Sequence, residues 1–346
     1  MTTSSTTGAT TVDLRSPGQL IAAVPHLLGF RPSHSLLLVA HRGTAGDRVG
    51  HVLRADLPPP ADAASLAWTL RTPLLAGDTT GVTVIVVGGE ESPPGPLPPR
   101  RDLPDAVADA GLAVLHALWT PEIRPGARWL CYDDAGCHGE LPDPGSSVLA
   151  AVTAHAGLVT YSSREAMQRQ LDADDPAALA RRAALLELAA DAEDGLQPGA
   201  AFAVVGAALG KVARGEPVFS DREVVELARA LSRTEVRDAC LATALPPGGP
   251  RAVTAERLWL TLVRATPAPE RAEVATLLAY SAYVRGDGPL AGMAVTNALD
   301  AHPGHVLAGL LKQALAHSTP PAKLARLGAT CDDSPLWPRE ERGPAG

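Results

Sequence analysis

Cys131, Asp133, Asp134, Cys137 and His138 fall within eight positions of one chain segment, residues 129–139 (WLCYDDAGCHG). Thiolate and imidazole are the ligands a tetrahedral zinc ion takes, so Cys131, Cys137 and His138 could supply three of its four. Two thiols this close are also the material of a redox pair. The spacing argues against both. It is C-x5-C rather than C-x2–4-C, and no second Cys/His pair lies nearby. A turn with one buried thiol and solvated acids accounts for the same residues. No cofactor is implied; zinc at this turn is the metal these residues leave open.

A second set lies at the predicted strand ends. His41 follows the first strand, Gly88, Gly89 and Glu90 follow the third, and Asp133 and Asp134 belong to the turn that these strand ends are expected to meet. Ligands of open α/β sheets bind outside the carboxyl ends of the strands, and paired glycines let a ligand approach the backbone closely. Arg54 and Asp56 are i, i+2 on a strand and therefore share a face. They could grip an anion and a cation. They could equally be a solvated salt bridge worth under about 1 kcal/mol. The candidate ligand site is thus His41, Arg54, Asp56, Gly88, Gly89, Glu90, Asp133 and Asp134, with ordinary loop chemistry as the other account of the glycines. His26 lies beside an apolar helix face and reads as a satisfied structural histidine. No G-x-G-x-x-G follows a strand, and G-x-x-x-x-G-K-[ST], G-x-S-x-G and H-E-x-x-H are missing.

These residues need elements to position them. Ser16, Pro17 and Gln19 suit an N-cap, a first helical residue and a capping box. Leu20, Ile21, Val24, Leu27 and Leu28 then mark an apolar helix face, which Pro25 is expected to kink or split. Gly29 ends that helix and Phe30 anchors its exit. Residues 35–41 (SLLLVAH) read as a buried strand and residues 49–57 as its hairpin partner. A helix over 62–75, the β-branched strand 82–87 (VTVIVV), a five-proline loop over 88–100 and a helix over 103–110 follow. Residues 112–119 and 128–133 supply two more strands.

Beyond residue 146 only helices are expected, among them one opened by Asp175-Pro176 and others over 200–213, 223–231, 234–244 and 254–265. Ser162 with Glu165, and Ser220 with Glu223, form capping-box patterns. The expected class is α/β (α+β), with a mixed sheet of about five strands and helices in the N-terminal half and an all-helical C-terminal half. The divisions are a disordered tail over 1–11, a mixed α/β domain over 12–145, a helical domain over 146–334 and a disordered tail over 335–346.

The helical half ends in a tetratricopeptide-like hairpin over residues 275–303. Gly286, Ala291, Ala298 and Pro303 fall at the places of that repeat's turn glycine, packing residues and closing proline. Residues 305–316 then cap the pair. No second copy follows at a period of about 34 residues, which favours a packed hairpin over a partner-binding array.

Composition bounds the function. Hydrophobic residues make up 46% of the chain and aromatics 3%, so the cores rest on Leu, Val and Ala. Net charge is −8, and the lysines are only Lys211, Lys312 and Lys323. No basic patch suits phosphates, which disfavours nucleic acid. No apolar run is long enough to span a membrane, and the Thr/Ser-rich N-terminus lacks the features of a secretory signal. Four cysteines are too few for a disulfide scaffold, so a cytoplasmic location with reduced thiols is expected.

Three stretches together resemble a known family. Residues 16–35 (SPGQLIAAVPHLLGFRPSHS), 54–58 (RADLP) and 129–139 are similar to the actinobacterial family catalogued as domain of unknown function 4192. The resemblance covers most of the chain and implies no activity. Two functions stay open. One is a noncatalytic binding or scaffolding protein that holds a protein partner through the helical half. The other is an enzyme whose site lies where the strand ends meet the turn at residues 131–138. The missing catalytic motifs favour the first.

Overall fold

The computed structural model describes residues 16–43, 48–75, 79–89, 98–155, 158–190, 197–330 and Leu336. Glu90, Cys331, the expected tail over 1–11 and all of the tail over 335–346 except Leu336 lie outside the described residues. The chain divides into two units, Met1–Met167 and Gln168–Gly346.

The first unit is built on a mixed sheet. Its strands are β1 (Ser35–Arg42), β2 (Arg48–Asp56), β3 (Thr79–Val87), β4 (Val114–Thr120), β5 (Arg128–Cys131) and β6 (His138–Glu140), in spatial order β2-β1-β3-β4-β5-β6. Only β3 and β4 run parallel; every other neighbouring pair is antiparallel. The sixth strand, His-Gly-Glu, adds to the five expected. Three residues without apolar alternation carry no strand signal, and backbone pairing to β5 alone defines it.

β1 and β3 are apolar without alternation because both of their faces are covered. On one face, Leu36, Leu38, Ala40, Val82, Val84, Val86, Ala117 and Trp119 pack with residues of α2 (Ala63–Leu75) and α3 (Asp102–Asp109). Leu130 and Tyr132 join that cluster. By alternation Trp129 and Cys131 point to the opposite face. There α1 (Pro17–Leu28) approaches: a β-carbon on Gly18 would lie 3.0 Å from Trp129 Nε1.

α1 starts at Pro17, but Ser16 makes no side-chain capping bond, so the expected capping box is not formed. Nor does Pro25 split the helix, which runs on to Leu28. One missing N–H is outweighed by burial of Leu20, Ile21, Val24 and Leu28. Gly29 ends the helix at φ 76°, and buried Phe30 forms an isolated bridge with Tyr161. That bridge is the one β contact beyond β6 among the described residues. α4 (Val148–His155) and α5 (Arg164–Gln168) follow. Ser163, not Ser162, caps α5, its Oγ accepting from Ala166 N at 3.0 Å, because the helix starts one residue later than its pattern suggests.

The second unit is helical throughout its described residues. It holds α6 (Pro176–Ala190), α7 (Pro198–Ala213), α8 (Asp221–Leu231), α9 (Thr234–Leu241), α10 (Pro250–Ala265), α11 (Arg271–Arg285), α12 (Gly288–Ala301), α13 (Val306–Ala316) and α14 (Pro321–Ala329). The Ser220–Glu223 capping box is complete, with Ser220 N donating to Glu223 Oε2 at 2.7 Å and Glu223 N to Ser220 Oγ at 3.3 Å.

α11 and α12 form the expected hairpin. Gly286 turns the chain, Asp287 Oδ1 accepts from Leu290 N at 3.0 Å, and Ala291 and Ala298 are fully buried between the helices. α11 is the centre of the unit: residues 274–284 are all buried, against α8, α9, α10, α12, α13 and α14. Leu336 is also buried, with its carbonyl 3.1 Å from where a β-carbon on Gly206 of α7 would stand.

Candidate functional site

Strand direction divides the predicted strand-end set between two edges of the sheet. Ser35 of β1 pairs with Asp56 of β2 and Val87 of β3, and Val87 pairs with Thr120 of β4. One edge therefore carries Ser35, Arg54, Asp56, Gly88, Gly89 and Thr120. His41, at the other end of β1, pairs with Gly81 at the opposite edge. The carboxyl ends of β1 and β3 point in opposite directions, so His41 and Gly88 do not meet.

At the first edge the polar groups bind one another. Arg54 Nε donates to Ser35 Oγ at 2.9 Å, and its Nη2 lies 2.6 Å from Asp56 Oδ1. Ser35 Oγ donates in turn to Ser33 O at 2.7 Å. The Arg54 side chain is 15% exposed and that of Asp56 84%. The Glu165 carboxyl sits below the usual range, held by its own backbone N–H and by Ser163, with the Arg164 charge and then that of Arg54 adding to the effect.

Gly88 is required here. Its φ is 86°, and a β-carbon would stand 3.2 Å from His34 N, itself in a residue at φ 44°. Gly88 O accepts from Trp119 Nε1 at 2.8 Å, and Gly88 N donates to Thr120 O at 2.9 Å. Leu57 N donates to His34 O at 2.9 Å, tying the end of β2 to the entry of β1. The Asp56 carboxylate and His34 are exposed at this edge.

At the opposite edge His41 is wholly buried, with Nε2 2.8 Å from Thr83 Oγ1 on the neighbouring strand. It is a sheet-interior residue. His26 is likewise engaged: Nδ1 lies 3.0 Å from Thr160 Oγ1, and Nε2 lies 2.9 Å from Pro144 O.

The β5–β6 hairpin brings Cys131 and Cys137 together, with Cys131 N donating to Cys137 O at 3.0 Å. His138 pairs with Leu130, which belongs to the cluster on the other face, so its ring points away from both thiols. Among the described residues no three His, Cys, Asp or Glu side chains are grouped to hold a metal ion. Asp134 Oδ1 accepts from Gly136 N at 2.8 Å, closing the turn. Asp133 pairs with Arg101 at 2.9 Å, and Arg101 also donates to Tyr132 O at 2.8 Å. Tyr132 donates to Pro99 O at 2.6 Å, and burial pushes its phenol well above the usual range. Burial, the adjacent Cys131 thiol and Asp134 likewise raise Cys137.

The three stretches of family resemblance therefore meet in space. Trp129 lies against Gly18 and Gly139, where a β-carbon on either would stand 3.0 Å from its Nε1. Ser35 and Arg54 are hydrogen-bonded. A family model described as Domain of unknown function (DUF4192) matches residues 17–322. The chain belongs to this family. No curated protein and no solved structure matches it.

The DUF4192 match begins at the first residue of α1 and ends within α14, so it takes in elements of both units. In the helical unit of this DUF4192 protein two polar clusters, built around buried Arg182 and buried His305, escaped sequence reasoning. Arg182 donates to Asp221 Oδ1 at 2.7 Å and Ala265 O at 2.8 Å. Glu273 lies 3.0 Å from His305 Nε2 and 3.2 Å from Arg237 Nη1. His305 Nδ1 accepts from Ala308 N at 3.1 Å and so caps α13, while its Nε2 side faces Glu273. Burial works to raise Glu273, but His305 and Arg237 outweigh it and hold the carboxyl low. These partners come from separate helices, and no local spacing announces them. No helix among the described residues is long and apolar enough to cross a membrane.

Proposed function

We propose that this DUF4192 protein is a noncatalytic binding or scaffolding protein whose helical unit holds a protein partner. The observation that carries this reading is the outward face of α13. Val306 and Leu310, one turn apart, are 76% and 55% exposed, while Ala308 and Leu311 of the same helix are buried. Neighbouring apolar side chains in water gain free energy when covered, and i, i+4 anchors suit a groove or a second helix. The inner helix of the hairpin, α11, is enclosed and offers no groove. The groups best suited to chemistry are engaged within the protein: Arg54 with Ser35 and Asp56, His41 with Thr83, Asp133 with Arg101.

Affinity capture from cell extract tests this, comparing wild type with Val306→Asp/Leu310→Asp. The reading expects captured proteins to be lost from the variant while its melting temperature stays unchanged. Equal capture by both chains overturns it.

One observation favours a second reading, a small-molecule or enzymatic site. β3 and β4 are parallel and end together beside Ser35, Arg54, Asp56 and Gly88, where α/β sheets bind ligands. Thermal-shift screening with metals, nucleotides and metabolites distinguishes it. Stabilisation that disappears in Asp56→Asn supports the ligand site.

A further inference from the structure

We propose that Cys131 and Cys137 are a reversible redox clip, closing to an intramolecular disulfide under hydroperoxide. Strand register sets the two cysteines opposite each other. β5 and β6 pair Arg128 with Glu140, Trp129 with Gly139 and Leu130 with His138, so the next opposed pair is Cys131 with Cys137. The hydrogen bond from Cys131 N to Cys137 O confirms that pairing. Residues of a hydrogen-bonded antiparallel pair have α-carbons about 5.5 Å apart, inside the range a disulfide spans, and their side chains leave the sheet on one face. The C-x5-C spacing, foreign to metal sites, is what a five-residue turn between opposed cysteines requires.

Exposure assigns the roles. Cys137 is partly exposed and Cys131 is buried behind it. The Cys137 thiolate attacks a peroxide oxygen. The O–O bond breaks, Cys137 becomes a sulfenic acid and one water leaves when the peroxide is hydrogen peroxide. The Cys131 thiolate then attacks the sulfenic sulfur, the S–O bond breaks, and hydroxide departs as a second water with the thiol proton. Two electrons pass from the thiols to the peroxide. Because burial, Cys131 and Asp134 keep Cys137 protonated, closure is slow at neutral pH and quickens in alkali. Such a clip answers sustained oxidant rather than a brief pulse. Closed, it fastens β6, whose strand pairing is to β5, and holds the turn whose Asp133 and Tyr132 grip Arg101 and Pro99.

The test uses the full-length protein, reduced and then treated with hydrogen peroxide from neutral to mildly alkaline pH. Peptide mapping by mass spectrometry is expected to find one linkage, Cys131 to Cys137, with the loss of two hydrogens and full reversal by dithiothreitol. Its rate should rise about tenfold per pH unit while the thiol remains mostly protonated. In Cys131→Ser, Cys137 should instead gain oxygen. Accumulation of oxygenated Cys137 beside an unmodified Cys131 in the wild-type chain overturns the proposal. So does survival of both thiols, still alkylatable on unfolding, after prolonged excess peroxide. Both readings come from the wild-type chain and do not depend on a variant folding.

Discussion

The indole nitrogen of Trp129 lies 3.0 Å from the place a β-carbon on Gly18 would occupy, so the first turn of α1 meets the sheet through a residue with no side chain. Gly18→Val should overpack this contact and lower stability by roughly 1–3 kcal/mol in urea denaturation. The loss should shrink in a Trp129→Leu background, where the indole is gone. Equal losses in both backgrounds would mean that the helix and strand are held some other way.

Arg54 uses two different edges of its guanidinium, one for Ser35 Oγ and one for Asp56. A lysine ammonium has no fork with which to serve both. Arg54→Lys should lower stability by roughly 1–2 kcal/mol. Circular dichroism during denaturation is the check, and an unchanged midpoint would count against the bonds holding this edge.

Glu223 completes the α8 cap and takes Lys211 Nζ at 2.9 Å. Those bonds bring its carboxyl from 4.5 down to about 2. A depressed carboxyl stabilises the fold fully above its unfolded value and loses that contribution as pH falls through the folded one. Because this carboxylate is well exposed, Glu223→Gln should cost only on the order of 1 kcal/mol at neutral pH. The gap between wild type and variant should close as pH falls from 4.5 toward about 2. A gap that stays constant over that interval would contradict the assignment.

Much of the fold was legible in the chain itself. SLLLVAH and VTVIVV announce β1 and β3 because strands covered on both faces need no alternation. Gly29 and Gly286 mark the helix ends they make. The direction in which β3 lies beside β1 was not legible, because the linking α2 segment permits either, and on that direction hangs the separation of His41 from Gly88. β6 was invisible because His-Gly-Glu is defined by a partner rather than by its own pattern. The capping-box pattern of Ser162 with Glu165 pointed to the wrong serine, because only the start of α5 decides which of the two neighbours caps it. Contacts such as Glu273 with His305, or Arg182 with Asp221, join residues far apart in sequence, and one chain carries no sign of them.

A partner held by the helical unit should cover α13. Hydrogen–deuterium exchange on the full-length protein, free and bound to its captured partner, measures this directly. It should show slowed exchange in α13, residues 306–316, with residues 33–35, 54–57 and 88–89 unchanged. Protection confined to those three strand-end segments, with α13 exchanging as in the free chain, would contradict it.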